Sequence, residues 1–466
     1  MANELTISKE LVEVINPAQA WHYYVVPKSR DNGTMVFYAK SDDSFAREEL
    51  EMLLGCVVQF DVRNEPEVHK ALVRFYPIQQ QKQSGSLESF SQNFDDFLPK
   101  VIQEAKIHNS SDIHVEAFEN VCRIRFRIDG KLVERYQFGK DKYPALINKI
   151  KIQAHLDIAE KRLPQDGRIF FRNGNDKIDI RVSVLPTLYG EKVVLRLLNK
   201  DTANIALDAL GFSVEQLEVY LKGIQRPNGI ILISGPTGSG KTTTLYASLR
   251  HLNTENVNIM TVEDPVEYTI DGINQVHVKE DIGLTFAAAL RTFLRQDPDI
   301  IMLGEIRDQE TAQMAIRAAL TGHLVFSTIH TNSALGTISR LLDMDVPSYL
   351  VANTLNLSMA QRLVRLLCPH CKKEVVIEDG LLPEELNGKI NTHFVAEGCD
   401  HCLYTGYLGR KAIYEILPVD TDLAQNIKQN NLETADDLKI ATLKDAAVKL
   451  YLQGLTSLDE IYSYLL

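Results

Sequence analysis

Residues 230–243 read Ile-Ile-Leu-Ile-Ser-Gly-Pro-Thr-Gly-Ser-Gly-Lys-Thr-Thr, an apolar run that breaks into Gly-x-x-x-x-Gly-Lys-Thr. A helical pattern follows from Thr242 to Leu252. This strand–loop–helix order is the context a phosphate-binding loop requires. Gly235, Gly238 and Gly240 let backbone N–H groups turn inward around phosphate oxygens, where a β-carbon would clash. Pro236, Thr237, Ser239 and Thr243 complete the nucleotide-binding turn. Lys241 reaches toward the β- and γ-phosphates of ATP, the Thr242 hydroxyl is placed for Mg²⁺, and the helix N-terminus adds positive potential. A glycine-rich turn with an incidental lysine is the competing reading, and the flanking strand and helix count against it.

Three more apolar runs behind this loop end in polar or charged segments. Val257–Val262 leads into Glu263-Asp-Pro-Val-Glu267, Asp299–Leu303 into Gly304-Glu-Ile-Arg-Asp308, and Leu324–Thr328 into Ile329-His-Thr-Asn332. Strands alternating with helices over residues 204 to about 365 predict a parallel sheet covered on both faces, with ligands at the C-terminal strand ends. Taken singly, each terminus reads as a polar loop cap; together behind a phosphate loop they read as a hydrolytic site. Glu305 follows its strand directly and is the candidate to orient water, while Glu263 is the candidate for the metal's outer shell. Gly304 occupies the usual Walker B aspartate position, which shifts metal duty onto Thr242 and the earlier acidic segment. His323 and His330 bracket the next strand. Arg307, with Arg291, Arg295 and Arg340, falls near these loops, whereas Arg162, Arg168, Arg181 and Arg196 lie in the preceding region. Guanidinium groups neutralise developing phosphate charge, and ordinary surface ion pairs are the alternative.

The chain has 466 residues, 45% hydrophobic and 24% charged, enough for two to four domains. Its net charge of −12 argues against a non-specific grip on nucleic acid. No apolar run is long enough to span a bilayer and no apolar leader opens the chain, so a cytoplasmic location is expected. Residues 1–78 read as a small α+β domain with strands at Trp21–Val26, Thr34–Ala39 and Cys56–Val62. A polar linker follows over residues 79–92. Residues 93–203 form a second α+β block, with an Asp129-Gly130 hairpin turn, a long helix over Tyr143–Ala159 and a second turn at Asn173–Asp176.

Cys368-Pro-His-Cys371 and Cys399-Asp-His-Cys402 give a Cys-x₂-Cys…Cys-x₂-Cys set. Four thiolates at this spacing suit one tetrahedral Zn²⁺ in a closed, architectural site within residues 366–404. A redox pair is the alternative. Cys56 and Cys122 sit in strand patterns and read as buried thiols.

With these residues in view, the chain resembles the secretion-ATPase superfamily of type II secretion and type IV pilus assembly. The likeness covers about residues 93–420. It rests on Ser111-Asp-Ile-His-Val-Glu116, Asp157–Arg168, Asp179-Ile-Arg-Val-Ser183, the phosphate loop, Glu263–Glu267, Leu294–Asp299, Gly304–Arg307, Thr321–Thr331 and the four cysteines. The resemblance implies a RecA-like P-loop NTPase domain (residues 204–466) joined to a PAS-like domain (residues 93–203) and assembled as a homo-hexamer. It implies that Glu263 lies in the acidic box and Glu305 in the Walker B segment, and that His323 and His330 bracket the histidine box. It also implies that Arg168 and Arg181 are offered to nucleotide at a subunit interface. The expected output is ATP hydrolysis driving pilus or pseudopilus assembly through an inner-membrane platform protein and other apparatus proteins. Membrane association would then be peripheral, through partners, without direct nucleic-acid contact. The four cysteines favour an assembly or secretion motor over a retraction motor. Residues 1–78 lack the pattern of relatives that bind cyclic-di-GMP, and no such regulation is expected. A nucleotide-gated scaffold and a nucleic-acid translocase on the same core are the alternatives.

Overall fold

The computed structural model describes residues 9–12, 14–31, 34–76, 88–89, 94–173, 176–198, 205–377, 390–432 and 440–465. Most of the expected linker, the interior of the Asn173–Asp176 turn and part of the cysteine-bearing segment lie outside these residues. The fold is mixed α/β, and it divides into two compact units, one made of residues 1–82 and 377–391 and one made of residues 83–376 and 392–466.

In the first unit, α1 (Lys9–Val12) and α2 (Pro17–Tyr23) precede β1 (Val25–Asp31), β2 (Thr34–Ala39), α3 (Ser44–Leu54), β3 (Val57–Val62) and α4 (Glu65–Phe75). β1 pairs antiparallel and β2–β3 parallel, over a core that includes Val26, Phe37, Leu50, Val58 and Leu72. Of the expected strand over Trp21–Val26, Trp21–Tyr23 is helix and Val25 and Val26 open β1. Asn16 and Gln19 cap each other's backbone N–H at 2.9 Å and Pro17 opens the first turn, so local capping overrides the β-propensity of the aromatics. Tyr24, at φ 52°, ends the helix and turns the chain into β1.

The second unit opens with β4 (Glu88–Ser89), α5 (Phe94–Ile107), β5 (Asp112–Ala117), β6 (Cys122–Ile128), β7 (Lys131–Phe138), α6 (Tyr143–Gln153), β8 (Gln165–Asn173), β9 (Asp176–Thr187) and β10 (Gly190–Leu198). The strands order β4-β7-β6-β5-β10-β9-β8. The Asp129-Gly130 hairpin forms, with both residues at positive φ. Helix α6 stops at Gln153 rather than Ala159. The fully buried Lys151 ammonium pairs with Glu191 at 2.5 Å and donates to the Glu160 carbonyl at 2.6 Å, which draws residues 154–164 back as a loop. Along β5, Glu116 accepts bidentately from Arg125 at 2.8 and 2.9 Å, from Arg123 at 3.1 Å, and pairs with Lys192 at 3.0 Å.

The larger sheet follows: α7 (Val214–Ile224), β11 (Gly229–Ser234), α8 (Lys241–Leu252), β12 (Ile259–Glu263), β13 (Asn274–His277), α9 (Phe286–Phe293), β14 (Ile300–Leu303), α10 (Gln309–Leu320), β15 (Leu324–Ile329), α11 (Ala334–Asp343), α12 (Ser348–Thr354) and β16 (Leu355–Leu367). A hairpin of β17 (Lys373–Val376) and β18 (Thr392–Val395) leads to β19 (Tyr407–Pro418), α13 (Thr421–Lys428), α14 (Leu443–Leu452) and α15 (Leu458–Leu465). The order is β13-β12-β14-β15-β11-β16-β19, parallel except for β19. Buried Ile231, Ile233, Tyr246, Phe326, Leu357 and Met359 fill its core. Alternating strands and helices gave the parallel part; β19, beyond the cysteines, was not foreseen. The C-terminal ends of β11, β12, β14 and β15 therefore share one edge.

Burial pushes the Glu116 carboxyl up, but the hydrogen bonds from Arg125 and Lys192 outweigh it and bring it down to about 2. A depressed carboxyl stabilises the fold fully above its ordinary value of 4.5 and loses that contribution as pH falls toward 2. Glu116→Gln should cost about 3 kcal/mol at neutral pH, because it leaves half-buried cations unpaired. In urea titrations, the gap from the parent chain should narrow between pH 4.5 and 2; a gap constant with pH would refute the pairing.

Candidate active site

The turn between β11 and α8 is built from glycine backbone. Gly235, Gly238 and Gly240 have φ of 148°, 81° and 87°. A β-carbon on Gly235 would lie 2.5 Å from the Gln361 carbonyl oxygen, and one on Gly240 would lie 2.8 Å from Gln361 Nε2, whereas Gly238 faces open space. Helix α8 starts at Gly240 with no side-chain cap, so its first N–H groups lack a side-chain acceptor. The Ser239 hydroxyl is buried without a hydrogen-bond partner among the described residues. Lys241 Nζ donates to the carbonyls of Gly235 at 2.8 Å and Pro236 at 3.0 Å. Pro236, Thr237, Gly238 and Thr242 are exposed, and Thr243 is half-buried. Such a cradle of unsatisfied donors is complementary to an anion with several oxygens, as the phosphates of ATP are.

Glu305 follows β14 on the same edge. Its mostly buried carboxylate pairs with Arg307 and lies 3.5 Å from His330 Nε2, beyond β15. Burial lowers the Lys241 pKa and the Glu305 charge opposes that fall, so the two groups act on each other across the sheet edge. The Arg307 pKa is raised by its hydrogen bond to Glu305. His323 is different: at the opposite end of β15, its Nδ1 lies 2.8 Å from the Ala318 carbonyl and away from this cluster.

Glu263 ends β12, almost fully buried. It accepts from the Tyr246 hydroxyl of α8, from Thr261 Oγ1 at 2.6 Å and from Gln275 Nε2 at 3.1 Å. Burial pushes its pKa up, against these three donors. Its hydrogen bonds thus lash the acidic strand end to the helix that Lys241 begins. Arg181 reaches from β9 to the same segment, donating to the Val266 carbonyl at 2.6 Å and to Glu267 at 3.1 Å. Arg168 stands exposed on β8, directly across the ladder from Arg181.

Sequence reasoning missed the strand on the other side of β11. Gln361, buried on β16, accepts from Thr244 Oγ1 at 2.9 Å and walls the loop at both Gly235 and Gly240. Arg362 follows it, half-buried beside Gly235. A polar pair inside a largely apolar run, Gln361-Arg362 within Leu355–Leu367, was the available signal.

The four cysteines meet. Sγ separations are 3.8 Å for Cys368–Cys399, Cys371–Cys402 and Cys399–Cys402, and all four sulfurs lie within 4.8 Å of one another. Sulfurs about 2.3 Å from a tetrahedral zinc stand about 3.8 Å apart, so the set fits that ion. Backbone N–H groups of Gly398, Cys399 and Gly406 point at Cys371 and Cys402 sulfurs from 3.2–3.3 Å, as thiolates require.

The family described as Type II/IV secretion system protein matches residues 89–463. The chain belongs to this family of secretion and pilus-assembly ATPases. The type IV pilus assembly ATPase PilB of Myxococcus xanthus is 40% identical, covering 98% of this chain and 87% of that protein. Type II secretion system protein E of Dickeya dadantii is 48% identical over 78% of this chain and 73% of its own length. Among solved structures, the Legionella pneumophila ATPase DotB superposes with a TM-score of 0.62 at 21% identity, over 82% of this chain and 99% of that one. The pilus retraction motor PilT with bound ADP does so with 0.53 at 28% identity, over 78% and 95%.

Chelation should strip one zinc per chain and open residues 366–404 to protease, because four clustered thiols lose the charge that holds them together. Elemental analysis before and after chelator checks this; a reduced protein that never held zinc would rule the site out.

Proposed function

We propose that the chain is a hexameric ATP-hydrolysing motor of type IV pilus or type II pseudopilus assembly, acting through an inner-membrane platform protein at the cytoplasmic face. Glu305 on the sheet edge that carries the phosphate loop supports the reading: a water-orienting carboxylate facing an anion cradle is what phosphoryl transfer to water needs. Lys241 leaves the Gly235 and Pro236 carbonyls to meet the β- and γ-phosphates, and Ser239 and the start of α8 supply further donors. Thr242 would hold Mg²⁺, which when bound neutralises phosphate charge. Glu263 supports that metal's hydration shell from its anchored position. Arg307 and His330 hold Glu305, and release it to water when nucleotide enters. Arg168 and Arg181 serve a neighbouring subunit's nucleotide or, as Arg181 does in this conformation, the chain's own acidic segment.

The alignment with the Myxococcus pilus ATPase runs through the N-terminal unit, which supports the pilus arm of this reading. Zinc in the tetrathiolate, a RecA-like domain from residue 204 and a PAS-like domain over 93–203, linked by 79–92 to the small N-terminal domain, complete it. Among the described residues no helix is long and apolar enough to cross a membrane, which is compatible with docking through partners.

Glu305→Gln should retain ATP binding and lower turnover by about 100-fold or more, trapping ATP. Lys241→Ala should abolish nucleotide binding. Filter binding and phosphate release separate these effects. Equal turnover by Glu305→Gln and the parent chain would favour the gated scaffold, and stimulation by single-stranded DNA alone would favour the translocase.

A further inference from the structure

Among the described residues, Arg362 is a cation set against the phosphate loop that the foregoing mechanism does not use. It lies on β16 just past the last residue paired with β11, with Nη1 3.0 Å from where a β-carbon on Gly235 would sit. Its hydrogen bonds among the described residues go to neutral oxygens. Nη1 donates to the Gln361 carbonyl at 3.0 Å, and Nη2 donates to both the carbonyl and Oδ1 of Asn332 at 3.2 Å. Asn332 is two residues beyond His330 and immediately precedes Ser333, the residue that caps α11. One planar guanidinium therefore ties the segment that delivers His330 to Glu305 onto β16, against the phosphate loop. Burial weakens its hold on its proton, and its charge also acts on Lys241, so the group is electrically part of the site.

Thr331 Oγ1 bonds the Ser333 carbonyl at 3.1 Å and Thr337 Oγ1 at 3.0 Å, which fixes the α11 side of that segment. On its other side, toward the phosphate loop, Arg362 fastens Asn332 to β16, beside a long Ser234 Oγ donation to the Ser333 carbonyl at 3.5 Å. The geometry points to Arg362 as a positioning residue for ATP hydrolysis: through Asn332 it sets the distance between the His330 segment and the phosphate loop, and so the placement of Glu305. This rests on the catalytic reading of Glu305 and His330 given above. A residue that acts through a loop changes the chemical step more than nucleotide affinity, whereas a direct phosphate ligand changes both. Lysine cannot replace it, because Nη1 and Nη2 reach Gln361 and Asn332 from two nitrogens of one plane, and an ammonium has a single nitrogen.

The test is steady-state ATP hydrolysis by the full zinc-bearing chain as Arg362→Ala, Arg362→Lys, Asn332→Ala and the Arg362→Ala/Asn332→Ala double variant. Arg362→Ala and Arg362→Lys should each lower kcat by about tenfold with KM for ATP within about twofold. Asn332→Ala keeps one of the two acceptors and should lose less. The double variant should match Arg362→Ala, since both changes break one connection. Multiplying losses, a raised KM with unchanged kcat, or rescue by lysine would each overturn the assignment. Should Arg362→Ala fail to fold, the cycle is run with Arg362→Lys in its place and read by the same criterion. The cycle is a ratio of rates, so it is read apart from Glu305→Gln, which alone tests the catalytic reading.

Discussion

The first turn of α8 has backbone N–H groups with no side-chain acceptor, and the edge of the parallel sheet is arranged around that shortage of negative charge. Lysine at the first helical position makes the shortage worse. Lys241 answers part of it by folding back onto two loop carbonyls, and Glu305 answers more from two strands away. Neither satisfies the helix itself. A phosphate chain would supply acceptors for the helix start, the buried Ser239 hydroxyl and the ammonium together. The same logic explains why glycine is forced at Gly235 and Gly240: Gln361 presses the turn from β16, and a side chain there would push the loop off the helix axis.

The acidic residues near the loop differ in freedom, and this sorts their roles. Glu263 is enclosed by Tyr246, Thr261 and Gln275, all neutral donors, so it is fixed to α8 and cannot move far without leaving buried groups unpaired. Among the described residues, the side-chain partners of Glu305 are Arg307, a largely exposed side chain, and a histidine at 3.5 Å. Contacts this close to solvent cost little to exchange. One carboxylate is framework; the other has the more exchangeable partners that the water-orienting role proposed above would need.

Much of this was legible in the chain. The phosphate loop, the acidic strand ends and the four cysteines each carry chemistry at a fixed local spacing, and local spacing survives folding. What escaped was set by partners far away in sequence. Trp21–Tyr23 has the composition of a strand, yet Asn16, Pro17 and Gln19 start a helix in front of it. Helix α6 looked longer than it is because its last turn carries Lys151, whose partners Glu191 and Glu160 come from later segments. Gln361 and Arg362 carry no local motif, and only the pairing of β16 beside β11 brings them to the loop.

Strand β19 shows what such distant pairing accomplishes. It runs antiparallel to β16 from Leu357–Pro418 to Leu367–Tyr407, so the cysteine-bearing excursion is an insertion between two paired strands. Its buried Glu415 accepts the first N–H of α11 at 2.7 Å through one oxygen and the first N–H of α14 at 3.2 Å through the other. One carboxylate thus serves two helix starts, where negative charge is most favourable. Helix α11 begins right behind Asn332, which Arg362 grips, and α14 belongs to the C-terminal helices. Arg365, three residues along β16, is clamped by Glu460 of α15 and lies 3.9 Å over the Tyr407 ring. A shift of β16 against the phosphate loop would therefore be felt at both ends of β19. Losing Glu415 would leave two buried N–H groups without acceptors, so such a shift is resisted elastically rather than absorbed by local fraying. That stiffness is what would let a change at the nucleotide reach the cysteine-bearing excursion and the C-terminal helices as motion.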